Sequence, residues 1–192
     1  MRLQRGEAAF APGFHLEEAF ARSTTPAFSP EGFTRPDAVV LVDDGRLPAT
    51  GGTLNSPRSA VEYAVPATGA HGGESPEALH LHGGSIPDAD LLRVLGTGLY
   101  ISNLWYLNYS DRAACRMTGM TRYACFWVED GELVAPLNVM RFDDDVLRLF
   151  GPGLVGLTAT PEFIPNSDTY GARGLGSVTT PAAVVEGLTL TL

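Results

Sequence analysis

Between Asn103 and Arg122 the chain sets amides, aromatic rings and guanidiniums close together: Asn103, Trp105, Asn108 and Tyr109 along one run, then Arg112 and Arg122 beyond it. An asparagine amide both donates to and accepts from a peptide group, and Trp or Tyr rings cover an extended backbone. Such a set could line a cleft for unfolded peptide. A core strand whose amides satisfy turn backbones would use the same residue types. Arg112, Arg116 and Arg122 could hold a peptide carboxylate, or could pair with the many local aspartates. Asn103, Trp105, Asn108, Tyr109, Arg112 and Arg122 are therefore the candidate substrate-binding set.

The four histidines are His15, His71, His80 and His82. His80 and His82 would project two imidazoles to one side of an extended segment, and His71 with Glu74 adds ligand types that zinc or nickel accepts. The stretch from Ala67 to Ser85 is rich in Gly and broken by Pro76, however, and reads as a long loop, a poor scaffold for preorganised ligands. No metal ligand and no catalytic residue is assigned on these grounds. No Gly-x-Ser-x-Gly elbow supports a serine triad, and neither Gly72-Gly73 nor Gly83-Gly84 leads into a Lys-Ser or Lys-Thr phosphate cradle. Cys115 and Cys125 are too few for a disulfide framework and are expected as free thiols; their spacing could also set them on neighbouring strands.

The elements that must position these groups are mostly strands. Leu99 to Tyr109 reads as a strand with Tyr100, Ser102, Leu104, Tyr106 and Asn108 on one face, the other face carrying Asn103, Trp105 and Tyr109. Tyr123 to Val128 reads as an interior strand, turned at Glu129-Asp130-Gly131-Glu132 into a run from Leu133 to Phe142, with Pro136 placing that run at an edge or bulge. Ala38 to Val42 followed by Asp43-Asp44-Gly45-Arg46 predicts a second hairpin. The echo between Leu41–Leu47 and Trp127–Leu133 marks either two related β units or shared turn chemistry. Helices are predicted from Ser56-Pro57 to Tyr63, from Pro87 to Leu95 with Gly96 as stop, and from Asp143 as cap to Gly151. Short strands alternate with Gly and Pro turns from Phe163 onward. Residues 1–35 read as an N-terminal arm of doubtful order and 36–192 as the domain proper. The class is α+β, strand-dominated, with mostly antiparallel sheets and a few short helices.

The 192 residues carry a net charge of −9, and all thirteen basic residues are dispersed arginines, which argues against nucleic-acid binding. No apolar run approaches the ~18 residues of a membrane helix. Met1-Arg-Leu-Gln-Arg lacks a following apolar region, so no secretory signal is read and a cytoplasmic location is expected. The absence of Lys beside abundant Ala, Gly and Arg suggests a high-GC bacterial source.

The blocks Leu95-Gly-Thr-Gly-Leu-Tyr-Ile-Ser-Asn-Leu-Trp-Tyr-Leu-Asn-Tyr-Ser-Asp-Arg112, Gly119-Met-Thr-Arg122, Phe126-Trp-Val-Glu-Asp-Gly131 and Asn138-Val-Met-Arg-Phe-Asp-Asp144 resemble the C-terminal half of the TldD/PmbA proteins. These were first described as modulators of DNA gyrase and are now regarded as metallopeptidases. The similarity runs from about Arg2 to Leu192. It implies a cytoplasmic α+β protein that dimerises, with itself or with a TldD-type subunit, around a cleft in which unfolded peptides are proteolysed. The zinc of the intact assembly is expected from an upstream His-Glu-x-x-x-His helix and, in the active type of subunit, a Cys near the C-terminus. This sequence holds neither: His15-Leu-Glu-Glu has no second His five residues on, and Thr169–Leu190 has no Cys. The resemblance thus implies the subunit type without the thiolate ligand, with no cofactor of its own and no activity alone, and a chain that begins after an additional N-terminal domain. A non-catalytic scaffold or regulatory subunit binding a partner peptidase is the alternative.

Overall fold

A computed structural model of the chain describes residues 2–49 and 52–191. It divides into two compact units, one gathering the chain up to Ala11, 84–160 and from Ala182 on, the other formed by 12–83 and 161–181.

The second unit is built on a five-stranded sheet ordered β2-β1-β3-β10-β9, from β1 (Leu16–Glu18), β2 (Val39–Val42), β3 (Ala78–Leu81), β9 (Glu162–Pro165) and β10 (Ser177–Thr180). All its pairings are antiparallel except β3 with β10. Two expectations change here. Residues placed in an N-terminal arm supply β1, which pairs with a strand on each side, and the buried Phe14, Ala19 and Phe20 flank it. The predicted Asp43–Arg46 turn does form, with Asp44 at φ 45° and Gly45 at φ 76°, both central residues left-handed as a primed turn requires. It closes only the single Asp43–Arg46 bridge, and β2 pairs with β1 instead of a returning strand. The echo with residues 127–133 is therefore one of turn chemistry. Helix α1 (Pro57–Tyr63) begins as read, with the Ser56 hydroxyl accepting from Ser59 N–H and Pro57 in the first turn.

The first unit centres on a twisted sheet ordered β12-β7-β5-β4, with β6 also on β5. Its strands are β4 (Gly98–Asp111), β5 (Arg116–Glu129), β6 (Glu132–Pro136), β7 (Arg141–Asp145) and β12 (Leu190–Thr191). β8 (Leu154–Leu157) and β11 (Ala183–Val185) form a separate antiparallel pair. β4 and β5 make one long hairpin; β6 and β7 share the other side of β5, at opposite ends of it. The β5–β6 turn has Asp130 at φ 50° and Gly131 at φ 83°, as the Asp-Gly signal predicts, and Pro136 ends the outer strand β6. A 3-10 turn at Asp88–Asp90 leads into α2 (Leu91–Leu95), stopped at Gly96 with φ 67°. Cys125, Val128, Phe142, Leu147, Leu149, Leu157 and Val184 are buried in this unit.

Two sequence expectations shift in the first unit. The strand from Tyr123 to Val128 is not interior: Cys125 and Val128 are buried, but Tyr123 is 73% exposed and Trp127 is exposed as well. A left-handed Tyr123 and a register shift between Trp127 and Val128 break the two-residue alternation, so buried positions fall three apart. The helix read from Asp143 starts later, because Asp143–Asp145 complete β7. Asp145 caps α3 (Val146–Leu149), accepting from the N–H groups of Leu147 and Arg148. In the second unit, the loop read across 67–85 includes β3, so His80 lies on a strand.

Candidate functional site

β4 is the last strand of its sheet, and beyond Ile101 it carries little cover. Leu104, Trp105, Tyr106, Leu107 and Tyr109 are all exposed, Tyr106 at 69%. Register shifts lie between Ile101 and Asn103, between Trp105 and Asn108, and between Tyr109 and Asp111. Tyr106 sits in one of them at φ 52°. These bulges re-aim the side chains, so the two alternating faces read from the sequence do not persist along the strand. They also interrupt the free edge, a device that discourages uncontrolled strand addition.

The candidate residues fall into two groups on this hairpin. Asn103 stands directly across from Arg122 in the β4–β5 register. The Asn103 Oδ1 and the Arg122 Nε are both buried with no hydrogen-bond partner among the described residues. The Arg122 guanidinium lies 5.6 Å from the centre of the Tyr106 ring, which in turn meets Trp105 edge-on at 5.9 Å. In the second group, Asn108 Oδ1 accepts from the Tyr109 N–H at 2.8 Å, and Arg112 sits 5.5 Å from the Tyr109 ring. Asn108 thus uses its carbonyl oxygen in a local turn-like bond, while the residue itself stays exposed. Arg116, the third arginine of this region, pairs with Asp143 at 2.7 Å, the plainer of the two roles open to it. Tyr106 and Tyr123 are missing from the sequence-derived set, because only the bulges turn them outward.

On β7 of the same sheet, opposite Met117, Asp144 is a structural anchor. Burial works against its charge, yet bonds from Arg148, from the Thr189 N–H at 2.8 Å and from the Asp145 N–H at 2.8 Å outweigh it, holding this carboxyl well below the usual range. Both cysteines are free, Cys125 buried and Cys115 partly so. Cys115 precedes β5 while Cys125 lies within it, so they do not occupy neighbouring strands.

In the second unit, the β1–β3 register sets Glu17 opposite His80, and the His82 N–H donates to His15 O. The His82 Nε2 is 3.0 Å from Glu17 Oε1, which also receives Arg22, and His15 Nδ1 is 3.0 Å from Asp43 Oδ1. The rings of His80 and His15 meet that of His82 at 4.9 and 4.3 Å. Burial first, then the neighbouring Arg22 and imidazoles, hold His80 and His82 below the ordinary histidine value. His71 stands apart from this group, bonded to Ser75 at 2.9 Å, and Glu74 accepts from Ser56 N–H at 2.8 Å. The set His71, Glu74, His80 and His82 considered from sequence is therefore not assembled; His15 and Glu17 join the β3 histidines instead. Long-range pairing of this kind leaves no local spacing to read.

The model for the PmbA/TldA metallopeptidase C-terminal domain matches residues 4–192, and the chain belongs to that family. Among solved structures it is similar to a candidate modulator of a DNA gyrase from Thermotoga maritima, at 17% identity and a TM-score of 0.75, covering 99% of this chain and 44% of that one. It is similar to TldE from Thermococcus kodakarensis at 15% identity and a TM-score of 0.75, covering 100% of this chain and 44% of that one. A third such protein, from Bacteroides thetaiotaomicron, aligns at 17% identity and a TM-score of 0.66 over 95% of this chain and 37% of its own. The chain thus spans less than half the length of these relatives. A comparison with curated proteins gave no match. The zinc motif that the resemblance implies does not fit this chain: its histidines form no His-Glu-x-x-x-His, and both cysteines, at 115 and 125, precede the C-terminal strands by more than fifty residues of sequence. Among the described residues no helix is long and apolar enough to cross a membrane.

Proposed function

We propose that this chain forms the peptide-cleft wall and dimerisation surface of a TldD/PmbA-type metallopeptidase, of the subunit type that contributes no thiolate to the catalytic zinc. The observation that carries the reading is the Asn103–Arg122 pair on the edge hairpin. Its shielded acceptor and donor lack partners, and together they match the donor and acceptor of one peptide group. Tyr106 lies against Arg122 and is itself exposed, so displacement of that ring opens the pair to an extended ligand. Trp105, Tyr109 and Tyr123 then supply exposed ring faces along the hairpin, and the short stretches of β4 edge between its bulges supply main-chain groups to an extended ligand. Proteolysis would belong to the intact cytoplasmic assembly, with zinc, its ligands and the general base contributed outside this sequence.

The test is fluorescence anisotropy with a labelled, unfolded casein peptide, followed by the same titration with Asn103→Ala, Arg122→Ala and Trp105→Ala. Saturable binding weakened at least severalfold by each substitution is the expected result. Undiminished binding in all three variants would move the peptide site off this hairpin. No binding by the wild type, together with capture of a TldD-type subunit in co-purification, would favour the scaffold role.

A further inference from the structure

His15 immediately precedes β1, Glu17 lies within it and His82 immediately follows β3, and one ligand atom from each lies within 4.8 Å of the other two. In pleated strands His15 and Glu17, two residues apart, share a face, as do His80 and His82, and the antiparallel register superposes those faces. We propose that His15, Glu17 and His82 bind a divalent cation of the zinc class and so cross-link β1 to β3. Two imidazoles and one carboxylate are a three-ligand set that zinc accepts, with water filling the fourth position. The His82 Nε2 to Glu17 Oε1 separation of 3.0 Å is close to the roughly 3.3 Å between two donors on a tetrahedral zinc with bonds of about 2.0–2.1 Å. Glu17 is buried on a strand paired on both sides, so the fold and not the cation holds its backbone in place. Asp43 meets His15 Nδ1 at 3.0 Å, the kind of outer carboxylate that orients a ligating imidazole. Arg22 is the competitor for Glu17; its side chain is half-exposed, and it turns to solvent when a cation replaces its charge.

This site departs from the expectation of no ligands, which treated His80 and His82 as loop residues. It is also distinct from the catalytic zinc of the proposed assembly, since all three donors belong to one sheet of this chain and no step of peptide hydrolysis is assigned to it. Peptide binding and metal binding can therefore fail separately.

The experiment is isothermal titration of tag-free, EDTA-stripped protein with zinc chloride, with cobalt(II) absorption as a second readout. The expected result is one equivalent bound, cobalt bands of tetrahedral intensity, and a melting temperature that rises with zinc. Glu17→Gln and His15→Asn should abolish all three effects. Asp43→Asn, a positioning change, should weaken affinity by about tenfold. Far-ultraviolet circular dichroism in EDTA confirms that each variant folds; should His15→Asn fail, the isosteric Glu17→Gln decides alone. Absence of zinc binding by stripped wild type, or unchanged affinity in Glu17→Gln, overturns the proposal and leaves an ion-pair cluster of His82, Glu17 and Arg22.

Discussion

Asp144 shows how a single buried acid can hold several segments together. Its side chain joins Arg148 on α3 and the Thr189 N–H just before β12, with further contacts that keep it ionised. Asp144→Ala should lower stability by about 2–4 kcal/mol, since it removes several bonds and leaves Arg148 without its carboxylate. Urea denaturation at neutral pH measures this. A carboxyl whose folded pKa lies below its unfolded one stabilises fully above the unfolded value of about 3.9 and loses that contribution as pH falls through and below it. Wild-type stability should therefore decline below about pH 4–5, and Asp144→Ala should flatten that decline. Gly119 is a second sensitive position, because a Cβ there would meet Phe142 at 2.8 Å and both Leu107 and the Trp105 carbonyl at 2.9 Å. Gly119→Ala is expected to destabilise by about 1–3 kcal/mol in thermal or chemical unfolding, the usual range for overpacking.

At the scale of elements, the β4–β5 hairpin separates stability from recognition. Its base is packed through Cys125 and Val128, while its distal part exposes rings that no described contact covers fully. Trp105→Ser should consequently change unfolding free energy by no more than about 0.5 kcal/mol, the range of ordinary surface changes, while weakening peptide retention. Equal loss of stability and binding would mark Trp105 as a packing residue instead. Helix α1 offers a contrasting case, since none of its residues is buried and the Ser56 cap is a large part of what fixes its start. Ser56→Ala should reduce stability by about 1 kcal/mol, read from the denaturation midpoint.

For the whole molecule the expectation is association. An edge strand with exposed apolar rings and few charges favours pairing with a like surface, and a twofold contact is the commonest closed solution. Light scattering at tens of micromolar should show a homodimer, and Tyr106→Glu or Tyr123→Glu should shift it toward monomer. A monomer at that concentration in the wild type would refute the self-association and leave a heterologous subunit as the remaining partner. Intact mass should not change by two hydrogens on reduction, because Cys115 and Cys125 are both free.

Local chemistry was legible in the sequence wherever the determinant was local. Asp130-Gly131 specified a primed turn through the φ > 0 it tolerates, Ser56-Pro57 specified a helix start through a cap and a missing N–H, and Pro136 marked the outer strand. The strand-dominated α+β class and the family likewise followed from the chain alone, since strand patterning and contiguous blocks such as Phe126–Gly131 survive without tertiary context. What the tertiary structure decided was every feature that needs distant partners. Register shifts turned Tyr106 and Tyr123 outward and exposed a strand that its composition placed inside. Pairing of β1 with β3 made a strand of an apparent arm and brought His15 and Glu17 to His82 across 65 residues of sequence from Glu17. Side-chain alternation is a property of an unbroken pleat, and ligand proximity is a property of register. Neither is encoded in the spacing of the residues concerned.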